Sequence, residues 1–209
     1  MYIPRANQED RVPILHKLIE EQPFASLITV GSTGLFASHI PMVLEQNGAM
    51  GQLRGHISRA NTQWRDYTPE VEALGIFSGP QHYITPNWYL EKQETGKVVP
   101  TWNYVVVHAY GYLKVIEDGE WLMTHLARLT NIHEADSPVP WKIGDAPADY
   151  IAALTKGIVG LEMTIERLEG KWKVSQNRSE RDRNGVAKGL AELNTAESLD
   201  MKALVERRD

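Results

Sequence analysis

Phe24-Ala-Ser-Leu-Ile-Thr-Val30, Gly31-Ser-Thr-Gly34 and Leu35-Phe-Ala-Ser-His-Ile-Pro-Met-Val-Leu44 read in order as a strand, a turn and a second strand. Asn47-Gly48 then favours a hairpin into a third strand over Gln52 to Ile57, and Val71 to Phe77 reads as a further buried strand. A short helix is expected between them, from near Ser58 to about Asp66. Short strands joined by tight turns predict an antiparallel sheet or barrel. Upstream, Val12, Leu15, Leu18 and Ile19 form one apolar stripe of a helix from about Arg11 to Gln22, capped by Asp10. Pro13 is tolerable in its first turn, where N–H groups lack intrahelical partners.

Downstream, Gly79 to Pro100 contains Pro80, Pro86 and Gly96 and is expected to be loop-rich. Asn103 to Ile116 should be the longest strand. Helices are expected from an Asp118 cap to about Ile132 and over Ala148 to Thr155. Ile158 to Leu168 reads as a strand whose turn, Glu169-Gly170, leads into Lys171 to Val174. The tail is helical, with Val186, Leu190 and Leu193 at i, i+4 and i+7 and a last segment from about Ala196 to Glu206. The fold class is α+β, with a main domain over 1–177 and a helical extension over 178–209 that packs on the barrel or on a partner subunit.

The chain has 209 residues, no cysteine and a net charge of -5. Without cysteine there is no disulfide framework, Cys-ligated zinc, iron–sulfur cluster or thiol nucleophile. The charge sits in the first 177 residues, and the tail from Arg178 has seven basic and seven acidic residues, so neither part offers a polybasic grip on nucleic acid. No apolar run approaches the ~18 residues of a membrane span, and Met1 to Asp10 does not read as a signal peptide, so a cytoplasmic location is expected. Residues 64–112 hold ten of the seventeen aromatics, and the last 32 residues hold none.

Nucleotide-binding and hydrolase signatures are absent. His125 and His133, eight apart on a helix, lie two turns from each other and read as structural rather than as ligands of one metal. Gly55-His-Ile-Ser-Arg-Ala-Asn61 sets an imidazole, a hydroxyl, a guanidinium and a carboxamide where a strand runs into a helix start. This suits a phosphate, and it equally suits an ordinary cap. In Ala37-Ser-His-Ile-Pro41 the proline marks an edge or irregular strand whose backbone groups are free for a ligand, or a simple bulge. Pro100-Thr-Trp-Asn-Tyr104 and Tyr83-Ile-Thr-Pro-Asn-Trp-Tyr89 combine hydrogen bonders with rings that suit a planar ligand or a dimer core. Ser175-Gln-Asn177 reads as a turn or cap.

These segments, in this order, resemble the PaiB family of negative transcriptional regulators, an FMN-binding family with a split β-barrel related to pyridoxamine-phosphate oxidases and flavin reductases. Pro23-Phe-Ala25, Phe77-Ser-Gly-Pro80, His133-Glu134, Pro140-Trp141, Ile158-Val-Gly160 and Lys173-Val-Ser-Gln-Asn177 carry it alongside the motifs above. Thr62 stands where the family usually has proline, and Val174 where it has leucine. The resemblance implies a homodimer with FMN in two symmetric interface clefts. The phosphate would meet Ser58 and Arg59, with His56 and Asn61 supporting. Main-chain groups of Ser38, His39, Ile40 and Pro41 would read the ring edge, and Thr101, Trp102 and Asn103 would approach from either subunit. It leaves open a regulator, for which DNA is a partner by resemblance alone. It also leaves open an FMN-dependent oxidoreductase, with His39, His56 or Tyr104 as proton donor, and a non-catalytic flavin or haem module.

Overall fold

The computed structural model describes residues 1–207. In chain order the elements are β1 (Gln8–Glu9), α1 (Val12–Glu21), β2 (Phe24–Gly31), β3 (Gly34–Pro41), β4 (Val43–Glu45), β5 (Gln52–Ser58), β6 (Ala73–Ile84) and α2 (Glu91–Glu94). There follow β7 (Thr101–Ile116), α3 (Gly119–His133), α4 (Ala148–Thr155), β8 (Ile158–Lys173), α5 (Glu180–Leu193) and α6 (Ala196–Glu206). The strands form one antiparallel sheet in the order β3-β2-β6-β7-β8-β5-β4, with β1 paired to β8. The sheet is open, ending at β3 and β4, and its class is the expected α+β one. No helix among the described residues is long and apolar enough to cross a membrane.

The chain divides into two compact units. One contains Ile19–Phe77 and His108–Leu168; the other contains Met1–Leu18, Ser78–Val107 and the chain from Glu169. In the first, period-2 alternation sends Ala25, Leu27 and Thr29 of β2 inward, with Leu53 and Ile57 of β5 and Leu161, Met163 and Ile165 of β8. Leu53, Phe77 and Met163 meet at Gly75. Each such buried side chain contributes roughly 1.5–3 kcal/mol. The β5–β8 register sets His56 opposite Gly160 and Ser58 opposite Ile158, which places the Gly55–Asn61 segment at the end of a central pair.

In the other unit, α5 and α6 share a core with Ile84 and Tyr89: Val186, Leu190, Met201 and Val205 are buried there, and Trp88 packs against them. Thr195 caps α6, and Ser179 caps α5.

Four expectations change. The strand through Leu44 breaks at Met42, whose N–H bonds to Pro23 O at 2.8 Å. The helix near Ser58–Asp66 is only a 3-10 turn, Thr62–Trp64, capped by the Asn61 side chain. β6 continues through Gly79-Pro80 to Ile84; its pairing with β2 stops at Ile76, so no ladder bond to β2 is lost at Pro80. Glu169-Gly170 is not a turn but part of the unbroken β8. Gly170 is needed there because a Cβ would lie 2.3 Å from Leu15 Cδ2 and 2.6 Å from Glu9 O.

Candidate functional site

β5 ends at Ser58, and the chain turns away with most of its amides spoken for. Arg59 N donates to Gly157 O (2.8 Å), Ala60 N to Ser58 Oγ (3.2 Å), Asn61 N to Ser58 O (2.9 Å) and Gln63 N to Asn61 Oδ1 (2.9 Å). A phosphate seat built from helix N-terminal amides is therefore not formed here, and the side chains must supply the donors. Arg59 supplies the most. Its Nε donates to Lys156 O (3.0 Å), one Nη to Ile158 O (3.3 Å), and the other pairs with Glu117. The guanidinium carbon lies 5.5 Å from the centre of the Trp64 ring, and Trp64 Nε1 donates back to Arg59 O.

Two residues on, Asn61 Nδ2 donates to Ser38 Oγ (2.8 Å), which joins the Gly55–Asn61 and Ala37–Pro41 segments. Ile40 is buried, and a Cβ on Gly55 would lie 3.2 Å from both Ile40 Cδ1 and Pro41 O. Because β3 ends the sheet, the backbone groups of Ser38–Pro41 that point away from β2 lack a ladder partner. His39 pairs across the strands with Ser26 instead: its Nδ1 is 3.0 Å from Ser26 Oγ, and its ring stacks on Phe24. Sequence reading missed Gln63. It is fully buried, with Nε2 donating to Leu27 O (3.2 Å) and Thr29 Oγ1 (3.1 Å), and it props β2 against the turn.

His56 takes another direction. Alternation along β5 turns Gly55 toward Ile40 and His56 to the opposite face, where Nδ1 lies 3.2 Å from Nε2 of His125 on α3. The His125 ring stacks on Trp121, which packs where Gly160 leaves room. Burial lowers the pKa of both imidazoles. That of His125 falls from 6.5 to about 4, through burial first and then the nearby His56 and Arg54 charges. Both rings are neutral at neutral pH.

Beside Arg59 a cavity of about 950 Å³ opens between α3, the 3-10 turn Ile143–Asp145 and α4. Leu122 and Met123 of α3 and Ile151 and Ala152 of α4 form its walls, and Arg59, Glu117 and Lys156 are its charged lining residues.

Thr101, Trp102 and Asn103 belong to the other compact unit. Lys173 Nζ donates to Thr101 Oγ1 and to Trp102 O, the latter at 2.8 Å. Burial lowers the Lys173 pKa, with Lys171 and Arg178 adding to the effect against Tyr104. The Trp102 ring is half exposed and meets Tyr83 edge-on at 6.1 Å. Asn103 is buried and turned wholly to Ser175: Nδ2 donates to Ser175 Oγ (2.9 Å), which donates back to Oδ1 (3.3 Å). This pair pins Ser175 at φ 65°, the turn expected of Ser175-Gln-Asn177.

With this geometry the comparisons fall into place. Residues 1–167 match the family described as "Putative FMN-binding domain". The chain belongs to this FMN-binding family. FMN is the cofactor that membership assigns. The chain is also 29% identical over 208 residues to the protease synthase and sporulation protein PAI 2 of Bacillus subtilis, covering 99% of this chain and 97% of that one. It is 36% identical over 231 residues to an uncharacterized protein of Emericella nidulans, covering 93% and 92%. Among solved structures, the flavocytochrome Anf3 of Azotobacter vinelandii matches with a TM-score of 0.60 at 11% identity, over 88% of this chain and 78% of that one. The FAD and haem binding protein of Mycobacterium smegmatis matches with 0.56 at 14%, over 80% and 73%. These two share the split-barrel fold.

The residues present fit FMN in kind. A phosphate dianion needs cations and hydroxyl donors, which Arg59, Lys156 and Ser58 offer; a flavin ring needs hydrogen bonds along its pyrimidine edge, which the open side of β3 offers. The partly exposed Arg59–Glu117 pair is worth about 0–1 kcal/mol.

Proposed function

We propose that this chain is a PaiB-like, flavin-responsive regulator that works as a homodimer and holds FMN by its phosphate at Arg59 and Ser58, with the ring edge along Ser38–Pro41. The observation that carries the regulatory reading is the Arg59–Glu117 pair. Glu117 directly precedes Asp118, whose carboxylate caps α3 through Trp121 N at 2.7 Å. When Arg59 turns to phosphate it releases Glu117, and flavin occupancy reaches the start of α3. When bound, the flavin supplies electron-transfer chemistry that a cysteine-free chain lacks. Asn61 and Ser38 hold the two segments in register, and Gln63 fixes the turn beneath them.

Exposed Phe24 and Leu35 along β2 and β3, with exposed Val139, Trp141 and Tyr150, support a dimer. The net charge of -5 gives DNA little attraction, so the signal is assigned to a protein or small-molecule partner. Fluorescence titration with FMN tests the site: Arg59→Ala should raise the Kd about 10- to 150-fold, and an unchanged Kd removes Arg59 from it. Light scattering should give a dimer. Oxidation of NAD(P)H by the loaded protein would favour the oxidoreductase reading instead.

A further inference from the structure

The walls of the α3–α4 cavity follow from residue size. On α4, Ala148, Ile151, Ala152 and Thr155 fall at i, i+3, i+4 and i+7 and face the cavity together. Gly119 of α3 and Gly144 and Ala146 before α4 also line it. Small residues on facing elements leave the gap between them unfilled, where interiors otherwise close to crystal-like density. Ile143, Ile151 and Thr155 also line a second cavity of about 330 Å³ that reaches His56. The two cavities share these three walls.

The charged groups of the larger cavity cluster together. Arg59 bonds both Glu117 and Lys156 O, so these three lining residues lie together. Along the rest of the larger cavity the one polar side chain is Thr155, and its hydroxyl already donates to Ile151 O at 2.8 Å. A flavin ring pushed into these walls would find no protein partner for its pyrimidine edge. A hydrocarbon body meets no such cost. The charged lining residues are two cations and one carboxylate, so the lining favours an anionic head. The second cavity reaches His56, whose pKa burial lowers.

We propose that this cavity binds an amphipathic carboxylate, its hydrocarbon body between α3 and α4 and its head group at Lys156 and Arg59. The site does not depend on the flavin reading, except that both ligands draw on Arg59 and Lys156. Occupancy by one then weakens the other, by the same factor in each direction.

Isothermal titration of the full chain with decanoate, below its micelle concentration, tests this. Decanoate should bind one per chain, and decyltrimethylammonium should bind at least tenfold more weakly. Ala152→Trp projects an indole into the cavity and should weaken decanoate at least tenfold while FMN binds as in the wild type, which also reports that the variant folds. Glu117→Gln, which frees Arg59, should tighten decanoate. Absence of saturable decanoate binding, or its survival in Ala152→Trp, overturns the site. Equal binding of the cationic probe overturns the head-group assignment. Loss of both decanoate and FMN in Ala152→Trp would give the cavity to the flavin ring and overturn the proposal. A wild-type chain that takes decanoate but not FMN would sink the flavin reading alone.

Discussion

Two helical seams use small residues to opposite ends. Where α5 passes Trp88, a Cβ on Gly185 would lie 2.0 Å from Trp88 O, and one on Gly189 would lie 2.2 Å from the indole ring. The space those glycines leave is filled completely by one tryptophan. Between α3 and α4, no atom lies within 4 Å of a Cβ built on Gly119 or Gly144, and the alanines of α4 look across about 950 Å³. A glycine whose space is filled serves stability, whereas the small residues between α3 and α4 leave room for the ligand proposed above.

The sharpest way to break this contrast is to enlarge one residue in each seam. Gly185→Val drives a side chain into a backbone carbonyl that cannot give way, and should cost about 3 kcal/mol in denaturant unfolding. Ala152→Trp should stay within about 1 kcal/mol of wild type. Equal costs would dissolve the distinction.

Acid should loosen the α3 seam from below. The His125 pKa is about 4 in the folded chain against 6.5 ordinarily, so on acidification the unfolded chain takes up the proton first. The stability due to neutral His125 is complete above about pH 6.5 and is lost as pH falls toward 4, by at most about 3 kcal/mol. His125→Gln should flatten unfolding curves over that window; an unaltered slope would show that the His56–His125 contact carries no such weight. A smaller effect is expected from Glu117→Gln, which removes the competing carboxylate and should tighten FMN severalfold, by about 0–1 kcal/mol. Weaker FMN binding in that variant would reverse the assigned role of Glu117.

Local patterns made much of this fold legible. The apolar stripe of α1, the Asp118 cap of α3 and the bounds of α4 lie in short-range periodicity and capping chemistry, and they appear as read. Pro80 and Gly170 misled because their meaning is long-range: one follows the end of a pairing with β2, and the other makes way for Leu15. At the site, the Ser38–Asn61 link joins two segments already singled out. The direction of His56 depended on which face of β5 α3 would cover. Lys173 on Thr101, Gln63 beneath β2 and the α3–α4 cavity depend on residues distant in sequence, and no local pattern carries them.

On the reading proposed above, Arg59 anchors the flavin while the cavity beside it does not house the ring. FMN titrated side by side into Arg59→Ala and Ala152→Trp should bind at least tenfold more weakly to the first and as in the wild type to the second. Unchanged binding in Arg59→Ala, or a comparable loss in both, would contradict it.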